Sequence, residues 1–230
     1  MAPTSLPASA RFVPLVAPPS SRVVLFDVMD TLVADPFFRG FERDLFAMTG
    51  GIKELFSVKD QKSFVEFETG AIDESEHFAT YFTDRRPVDG AAVTAYLKEN
   101  YAWLPGMREL AAELAAAQVP MAAFSNYPAP WAPLVEDAVG LSQLVPWALV
   151  SGEAGVRKPA AEAFKAALGA VGCTASEVIF VDDSKANTDA AEALGIASIR
   201  FESAALLRPT LFQLLGLDPG RLPGSPRSRC

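Results

Sequence analysis

The chain has 230 residues, of which 50% are hydrophobic, and it carries a formal net charge of -8. This length and composition predict a globular protein with one substantial core and a smaller subdomain, and they exclude a disordered protein. The acidic balance argues against a nucleic-acid partner, and no apolar run approaches the roughly 18 residues of a membrane span. The two cysteines, Cys173 and Cys230, indicate a reducing compartment rather than a disulfide framework.

The two ends of the chain differ in composition from the rest. Residues 1–22 contain Ser, Pro, Ala and two arginines but no Asp or Glu, which is typical of either an organelle transit peptide or an ordinary disordered N-terminus. Residues 216–230 are dense in Gly, Pro and Arg, with little to bury, and this predicts a disordered tail. We therefore expect both ends to lie outside the fold.

The first predicted element is a buried strand that delivers a carboxylate. Residues 23–26 form a short apolar run that contains two β-branched valines, and the run ends at Asp27. The C-terminal ends of strands are where open α/β sheets bind their ligands. The side chain of Asp27 is therefore the predicted nucleophilic carboxylate.

Residues 35–104 show helical patterns and no good strand pattern. Asp73, followed three residues later by Glu76, indicates a helix start. Apolar residues at helical spacing are Phe41, Leu45 and Met48, then Phe78 and Phe82, then Val93, Tyr96 and Leu97. We predict a helical cap that is inserted after the first strand, where it can cover the strand ends as a lid.

From residue 105 onward, helical and strand patterns alternate. Strands are predicted at residues 120–124, 147–150, 178–181 and 197–201, with helices between them. Such alternation implies right-handed crossovers and a parallel sheet. The predicted fold class is therefore α/β: a doubly wound, Rossmann-like core formed by residues 23–34 and 105–215, with the helical cap inserted in it.

Polar clusters lie at or near the ends of the predicted strands, and the carboxyl ends of parallel strands meet at one edge. The clusters are residues 27–31, Ser125-Asn126, Arg157-Lys158-Pro159 and Asp182-Asp183-Ser184. Phosphoryl transfer needs an attacking oxygen, a divalent cation, a positive side chain and oriented donors, and these clusters offer all of them. The combination is far more specific than any one cluster.

Each cluster has a predicted role in such a reaction. Asp27 would be the nucleophile that forms an aspartyl-phosphate. Lys158 would supply a point charge, and Ser125 with Asn126 would bind the phosphoryl group; Ser125 and Lys158 therefore count as both catalytic and substrate-binding. The predicted Mg²⁺ ligands are Asp27, the backbone carbonyl of Met29, and Asp183, with Asp182 binding directly or through a water.

The four motifs, in this order and with a helical insert after the first, resemble those of the haloacid dehalogenase-like hydrolase superfamily over residues 22–203. More narrowly, the segments 25–31, 35–37, 67–74 and 126–128 are similar to the plant plastid hydrolases of flavin mononucleotide (FMN). The resemblance implies a Mg²⁺-dependent phosphatase that acts on a small phosphorylated metabolite, with FMN favoured and riboflavin as the product. It also implies a chloroplast location, with the cytoplasm as the alternative, and leaves the oligomeric state open.

Residue 29 departs from the superfamily's phosphatases, which place an aspartate there as general acid. Met29 cannot transfer a proton, and loss of such a group typically costs about 10² to 10⁴ in rate. Asp30, the single histidine His77 or a metal-bound water could replace it. We expect Asp30 rather to hold its loop through backbone N–H groups, and His77 to lie on the surface.

Two other functions stay open from the sequence. Dehalogenases of the superfamily also lack the aspartate at the position of Met29, and they need no Mg²⁺. A weakly catalytic phosphate-binding or interaction module would retain the fold alone. Aromatic residues of the predicted cap would either pack on a flavin ring or form the cap's own core; they are Phe37, Phe38, Phe64, Phe67, Tyr81 and Phe82.

Overall fold

The structure is a computed structural model and describes residues 5–13 and 22–218. Its centre is a sheet of five strands: β1 (Val23–Phe26), β2 (Met121–Ser125), β3 (Trp147–Val150), β4 (Val178–Asp182) and β5 (Ala197–Arg200). The strands lie in the order β3-β2-β1-β4-β5, and all neighbours are parallel. This order is that of the first five strands of the doubly wound fold with strand order 3-2-1-4-5-6, so the predicted fold class is confirmed.

The helices of the described chain surround this sheet and fill the segment that follows β1. They are α1 (Phe41–Phe46), α2 (Ile52–Val58), α3 (Gln61–Glu68), α4 (Glu74–Thr80), α5 (Gly90–Asn100), α6 (Met107–Ala116), α7 (Ala132–Val139), α8 (Ser151–Ala154), α9 (Ala161–Val171), α10 (Lys185–Ala193) and α11 (Ala204–Leu215). Short 3₁₀ helices lie at Ala8–Ala10, Pro36–Phe38, Ala129–Trp131, Leu141–Gln143 and Ala175–Glu177.

Both faces of the sheet are buried, which explains why its strands are continuous apolar runs. In β1, Val23 and Leu25 pack into the cluster that includes the apolar side of α9, whereas Val24 and Phe26 pack into a larger cluster that includes α6, α7 and α11. Successive side chains of a strand point to opposite faces, so four residues suffice to join the two layers.

The helices α1 to α5 belong to residues 35–104, called the helical insert below. Three of them begin at an aspartate whose side chain accepts a backbone N–H of the first turn: Asp60 for α3, Asp73 for α4 and Asp89 for α5. The helix start predicted at Asp73 is therefore present in the structure.

Residues 5–13 differ from the predicted disordered leader. Leu6 and Ala10 are buried, and the backbone N–H of Phe12 donates to the Trp147 carbonyl of β3 at 2.8 Å. This strand is an edge of the sheet, so its free backbone groups can pair with another segment. Composition alone could not reveal a partner so far away in the chain.

The same segment is held by an ion pair at its end. The Arg11 guanidinium donates two hydrogen bonds of 2.5 Å to the Glu153 carboxylate in α8. The rest of the predicted leader, residues 1–4 and 14–21, and residues 219–230 of the predicted tail lie outside the described residues. Within the described ranges, no helix combines the length and apolarity that crossing a bilayer requires.

Candidate active site

The sheet register brings the first and last motifs together. Because Phe26 of β1 pairs with Val181 of β4, the residues that follow them, Asp27 and Asp182, stand level at neighbouring strand ends. The Asp27 N–H also donates to the Val181 carbonyl at 2.8 Å, which continues the pairing to the site itself. Two carboxylates that are 155 positions apart in numbering thus share one edge of the sheet because of strand order alone.

Lys158 lies between these carboxylates and is only 1% exposed. Its ammonium donates to Asp27 Oδ1 at 2.6 Å and to Asp182 Oδ2 at 2.7 Å. The third proton goes to the carbonyl of Phe124 at 2.9 Å. All three donors of this lysine are therefore used, and its charge fixes Asp27 and Asp182 in one geometry.

The side chain of Asn126 holds the main chain of Lys158 in place. Its Oδ1 accepts the Lys158 N–H at 2.8 Å, and its Nδ2 donates to the Lys158 carbonyl at 2.9 Å. Both ends of the amide are thus occupied by the lysine's main chain. The sequence suggested Asn126 as a substrate ligand, and the structure adds a positioning role that the adjacent Tyr-Pro pattern did not signal.

Three further residues support the two aspartates at the end of β4. Asn187 in α10 donates from Nδ2 to both Asp182 oxygens, at 3.1 and 3.0 Å, and the Ser184 N–H donates to the same carboxylate at 2.8 Å. Thr31 accepts the Asp183 N–H on its Oγ1 at 3.2 Å. Both Asn187 and Thr31 lie inside the sequence motifs, but their spacing from the aspartates did not reveal these roles.

The donor set fits a divalent cation. Asp27, Asp182 and Asp183 each offer a carboxylate oxygen, and these oxygens lie within 4.8 Å of one another. Three carboxylates face one ammonium, Lys158, so the cluster carries excess negative charge. Hard oxygen ligands and uncompensated charge are what Mg²⁺ requires. Since Asp182 already accepts several protein donors, Asp27 and Asp183 are the freer ligands.

The excess negative charge also affects the pKa values of the cluster. Burial raises the pKa of Asp27 to about 7; Lys158 opposes this rise, and the neighbouring carboxylates add to it. Burial and the repulsion of Asp182 raise the pKa of Asp183 to about 6. Burial by itself would lower the pKa of Lys158, but Asp27 and Asp182 outweigh burial, and the pKa is raised.

Ser125 ends β2 with its hydroxyl unused. The residue is 1% exposed, and its Oγ has no hydrogen-bond partner among the described residues. A buried hydroxyl without a partner costs free energy, so such a group is commonly reserved for a ligand. This is the predicted position of a phosphoryl-binding hydroxyl.

Asp30 holds the loop after β1, and its carboxylate is already engaged by partners within that loop. Its Oδ1 accepts the Asp35 N–H at 3.1 Å and pairs with the Arg39 guanidinium at 2.7 Å. Its φ of 55° places the backbone in the left-handed region, which aspartate tolerates better than most residues. The expected loop-holding contact is present.

His77 was expected on the surface, and this expectation is wrong. The residue is 0% exposed, its ring stacks on Phe67 at a centroid distance of 4.6 Å, and its Nδ1 lies 2.9 Å from Ser63 Oγ. Burial lowers its pKa to about 3, so the imidazole stays neutral. The helical period of α4 points this side chain into the insert's aromatic core. A polar residue by itself does not indicate such burial in the sequence, so the expectation failed.

Comparisons with known proteins agree with this geometry. The family model of the haloacid dehalogenase-like hydrolases matches residues 22–195. The chloroplastic flavin mononucleotide hydrolase 1 of Arabidopsis thaliana is 37% identical over 193 residues, which cover 84% of this chain and 77% of that protein. The phosphoglycolate phosphatase of Pectobacterium atrosepticum is 32% identical over 93 residues, 40% of each protein.

Solved structures with the same fold include two enzymes of lower identity. One is a haloacid dehalogenase family enzyme from Bacteroides thetaiotaomicron in complex with magnesium and inorganic phosphate, with a TM-score of 0.62, 21% identity and coverage of 80% of this chain and 95% of that one. The other is the L-2-haloacid dehalogenase of Xanthobacter autotrophicus, with a TM-score of 0.59, 20% identity and coverage of 83% and 82%. The site geometry and the family match together lead to one conclusion: this chain belongs to the haloacid dehalogenase-like hydrolase family.

Proposed function

We propose that the protein is a Mg²⁺-dependent phosphomonoester hydrolase that works through an aspartyl-phosphate on Asp27 and converts FMN to riboflavin. The observation that carries this proposal is the buried bridge from Lys158 to Asp27 and Asp182, with Asp183 beside it. A lysine held between a nucleophile and a metal-type carboxylate cluster serves the transfer of a doubly charged group.

The residues divide the reaction among them. Asp27 attacks phosphorus with the oxygen that Lys158 does not hold, and the ammonium stabilises charge on the equatorial oxygens. The unused hydroxyl of Ser125 donates to a phosphoryl oxygen. Asp27, Asp183 and the Met29 carbonyl would hold Mg²⁺, with Asp182 supporting it, and the ion would offset repulsion between carboxylate and substrate.

The FMN assignment rests on the relative from Arabidopsis thaliana and on a cavity beside the site. This cavity has a volume of about 380 Å³, and its walls include Phe37, Phe38, Phe64 and Trp131. Mostly apolar cavities of this order suit large planar ligands. Of the other insert aromatics, Phe67, Tyr81 and Phe82 are buried in the insert's own core, so we assign flavin packing to the rings that line the cavity.

Replacement of Asp27 by asparagine, Asp27→Asn, tests the mechanism. The amide would keep the shape of the side chain but would not form the acyl phosphate, so we expect phosphate release from FMN to vanish while the thermal unfolding midpoint stays within a few degrees. Asp189→Asn makes the same change on the exposed face of α10 and should leave turnover unaltered. Undiminished hydrolysis by the Asp27 variant would overturn the proposal.

Metal dependence separates this proposal from dehalogenation, which the apolar Met29 favours as the second candidate. With FMN, aryl and sugar phosphates as substrates, EDTA should stop turnover and millimolar Mg²⁺ should restore it. Release of halide from a 2-haloalkanoate in the presence of EDTA would establish the dehalogenase instead. If FMN raised the thermal midpoint without any turnover, a binding module would be the better description.

A plastid location follows as part of the same proposal. It is supported by the acid-free residues 1–22 and by the chloroplastic relative. The full chain fused at its C-terminus to a fluorescent protein should enter plastids when it is expressed in plant cells. Removal of residues 1–4 together with substitution of Arg22 by Glu should reduce that import, and an unchanged plastid signal would argue against this address.

A further inference from the structure

The cavity described above lies between the helical insert and the loop that follows Asp27. Its core side includes Met29, two residues after the nucleophile, and Asn126, which holds the backbone of Lys158. Its insert side includes Lys59 and Phe64. A group bonded to a phosphoryl on Asp27 would therefore extend past Met29 into a space that Lys59 faces.

Lys59 is buried without a polar partner. It is 4% exposed, and its Nζ makes no hydrogen bond or ion pair within the part of the chain that the structure describes. The ammonium lies 3.8 Å from the ring centroid of Phe64, 4.4 Å from that of Phe37 and 5.2 Å from that of Tyr81. Ring faces compensate only part of the cost of burying a charge, so all three N–H donors stay available to a ligand in the cavity.

We propose that Lys59 protonates the leaving-group oxygen of the phosphate ester, in place of the carboxyl group that Met29 does not supply. This inference rests on the proposed phosphatase function. The position of the lysine carries it: a buried, unpartnered ammonium and the apolar Met29 line the same cavity, on its insert and core sides. No other cationic side chain of the insert lines that cavity among the described residues.

In this scheme the amine of Lys59 gives up a proton in the first half-reaction and takes one back in the second. In the first, the Asp27 oxygen–phosphorus bond forms, the ester oxygen–phosphorus bond breaks, and the Lys59 ammonium gives its proton to the departing alkoxide. In the second, water attacks phosphorus, the acyl-phosphate bond breaks, and the neutral Lys59 amine takes the proton of that water. The products are the alcohol, phosphate, the free Asp27 carboxylate and the ammonium.

The electrostatic surroundings suit this exchange. Burial lowers the pKa of Lys59 to about 7, while the carboxylates of Asp35 and Glu68 act in the opposite direction. His77, on α4, also faces this charge, and it stays neutral. A donor whose pKa lies near the working pH transfers protons efficiently in both directions. As the pH rises through this pKa the ammonium is lost, so the rate on poor leaving groups should fall.

Asp35 is a competing donor in the same cavity, as is Glu68, which is held in an ion pair with Arg157. Burial raises the pKa of Asp35 to about 6, but one of its oxygens already accepts the Phe37 N–H at 2.9 Å and caps the 3₁₀ helix. Lys59 has no such structural bond. Variants of Lys59 and Asp35 therefore separate these two assignments.

The experiment compares Lys59→Met with Lys59→Arg and Lys62→Met on two substrates. Riboflavin leaves from FMN as an alkoxide that needs a proton. Para-nitrophenyl phosphate instead releases a stable phenolate, which does not. We expect Lys59→Met to lower kcat on FMN by about 10² to 10⁴ and to change kcat on the aryl ester only severalfold. Lys59→Arg keeps the charge but gives up no proton, so it should share the defect. Lys62, exposed in the first turn of α3, is the matched control.

The pH dependence of kcat in wild-type protein is a second test, and it does not depend on whether a variant folds. The alkaline fall of kcat should appear with FMN and be absent with the aryl ester. An equal loss on both substrates, activity restored by arginine, or a selective loss with Asp35→Asn alone would overturn the assignment. If wild-type protein hydrolyses neither ester, the proposed function fails instead and the inference fails with it.

Discussion

At the scale of single residues, two buried lysines show how neighbours decide the behaviour of a charge. Lys158 and Lys59 are 1% and 4% exposed. Lys158 touches two carboxylates and its pKa is raised, whereas Lys59 lies over the rings of Phe37 and Phe64 and burial lowers its pKa to about 7. Burial is similar in both places, so the acceptors within reach make one lysine a fixed charge and leave the other able to lose its proton.

Met29→Asp tests the proton supply at this scale. In wild-type protein the substitution should raise kcat on FMN at most severalfold, because Lys59 already delivers the proton. In the Lys59→Met background it should recover much of the lost rate, since an acid then stands beside the nucleophile again. Steady-state rates on FMN and para-nitrophenyl phosphate measure both effects.

The aryl ester is the internal control of that comparison, because its rate should not respond to a restored acid. A large gain on FMN in wild-type protein would show that proton delivery is limiting there and that Lys59 does not provide it. A gain of equal size on both esters would mean that residue 29 alters metal or substrate binding instead.

At the scale of elements, α4 illustrates how a helix hides a polar residue. His77 is neutral inside the insert, with a pKa of about 3 against an ordinary value of 6.5. The unfolded chain therefore takes up the proton first as the pH falls. The contribution of the neutral His77 to the free energy of unfolding is complete above pH 6.5 and is lost progressively as the pH decreases towards 3.

His77→Leu should remove this dependence. The variant loses the hydrogen bond to Ser63 at every pH, but between about pH 7 and pH 5 its free energy of unfolding should improve relative to wild type by about 2 kcal/mol. Urea unfolding at the two pH values measures the difference. Because His77 is the only histidine, no other imidazole contributes. A constant gap between variant and wild type would show that the buried ring stays unprotonated for another reason.

At the scale of the whole molecule, the insert and the sheet domain meet at a close backbone contact. Gly70 has a φ of 71°, and a Cβ there would overlap the carbonyl oxygen of Gly152 in α8. Next to this contact, Ser151 Oγ donates to the Glu68 carbonyl at 2.6 Å, and Trp131 donates to Glu74 at 2.6 Å. These contacts fix the insert against the sheet domain.

Gly70→Ala should therefore weaken both stability and chemistry. The left-handed backbone and the overlap should lower the free energy of unfolding by about 2 kcal/mol. The displaced insert should also lower kcat on FMN more than kcat on the aryl ester. Gly169→Ala is the control, because this glycine of α9 has an ordinary helical backbone and open space, so it should stabilise by about 0.5 to 1 kcal/mol. Unaltered stability of the Gly70 variant would mean that the contact is not needed.

Much of the fold could be predicted because its signals are local. Each strand of the core from β2 to β5 begins and ends within one residue of its predicted position, since Gly, Pro and polar residues flank short apolar runs. The grouping of Asp27, Asp182 and Asp183 followed from the rule that parallel strands end at one edge, whereas Lys158 lies in the loop between α8 and α9. The docking of residues 5–13, by contrast, depends on a free sheet edge that no local pattern indicates.

The sequence by itself determined the fold class, the family and the motifs of the reaction, because strand periodicity and motif order are properties of the chain. Only the tertiary structure decided which side chains are left without a partner. Burial of His77 among rings keeps it neutral, and burial of Lys59 beside the cavity of Met29 is the basis of the donor that we propose and that the motifs do not contain. Proton transfer depends on the local dielectric and on the acceptors within a few ångströms, and those are fixed when distant segments pack together.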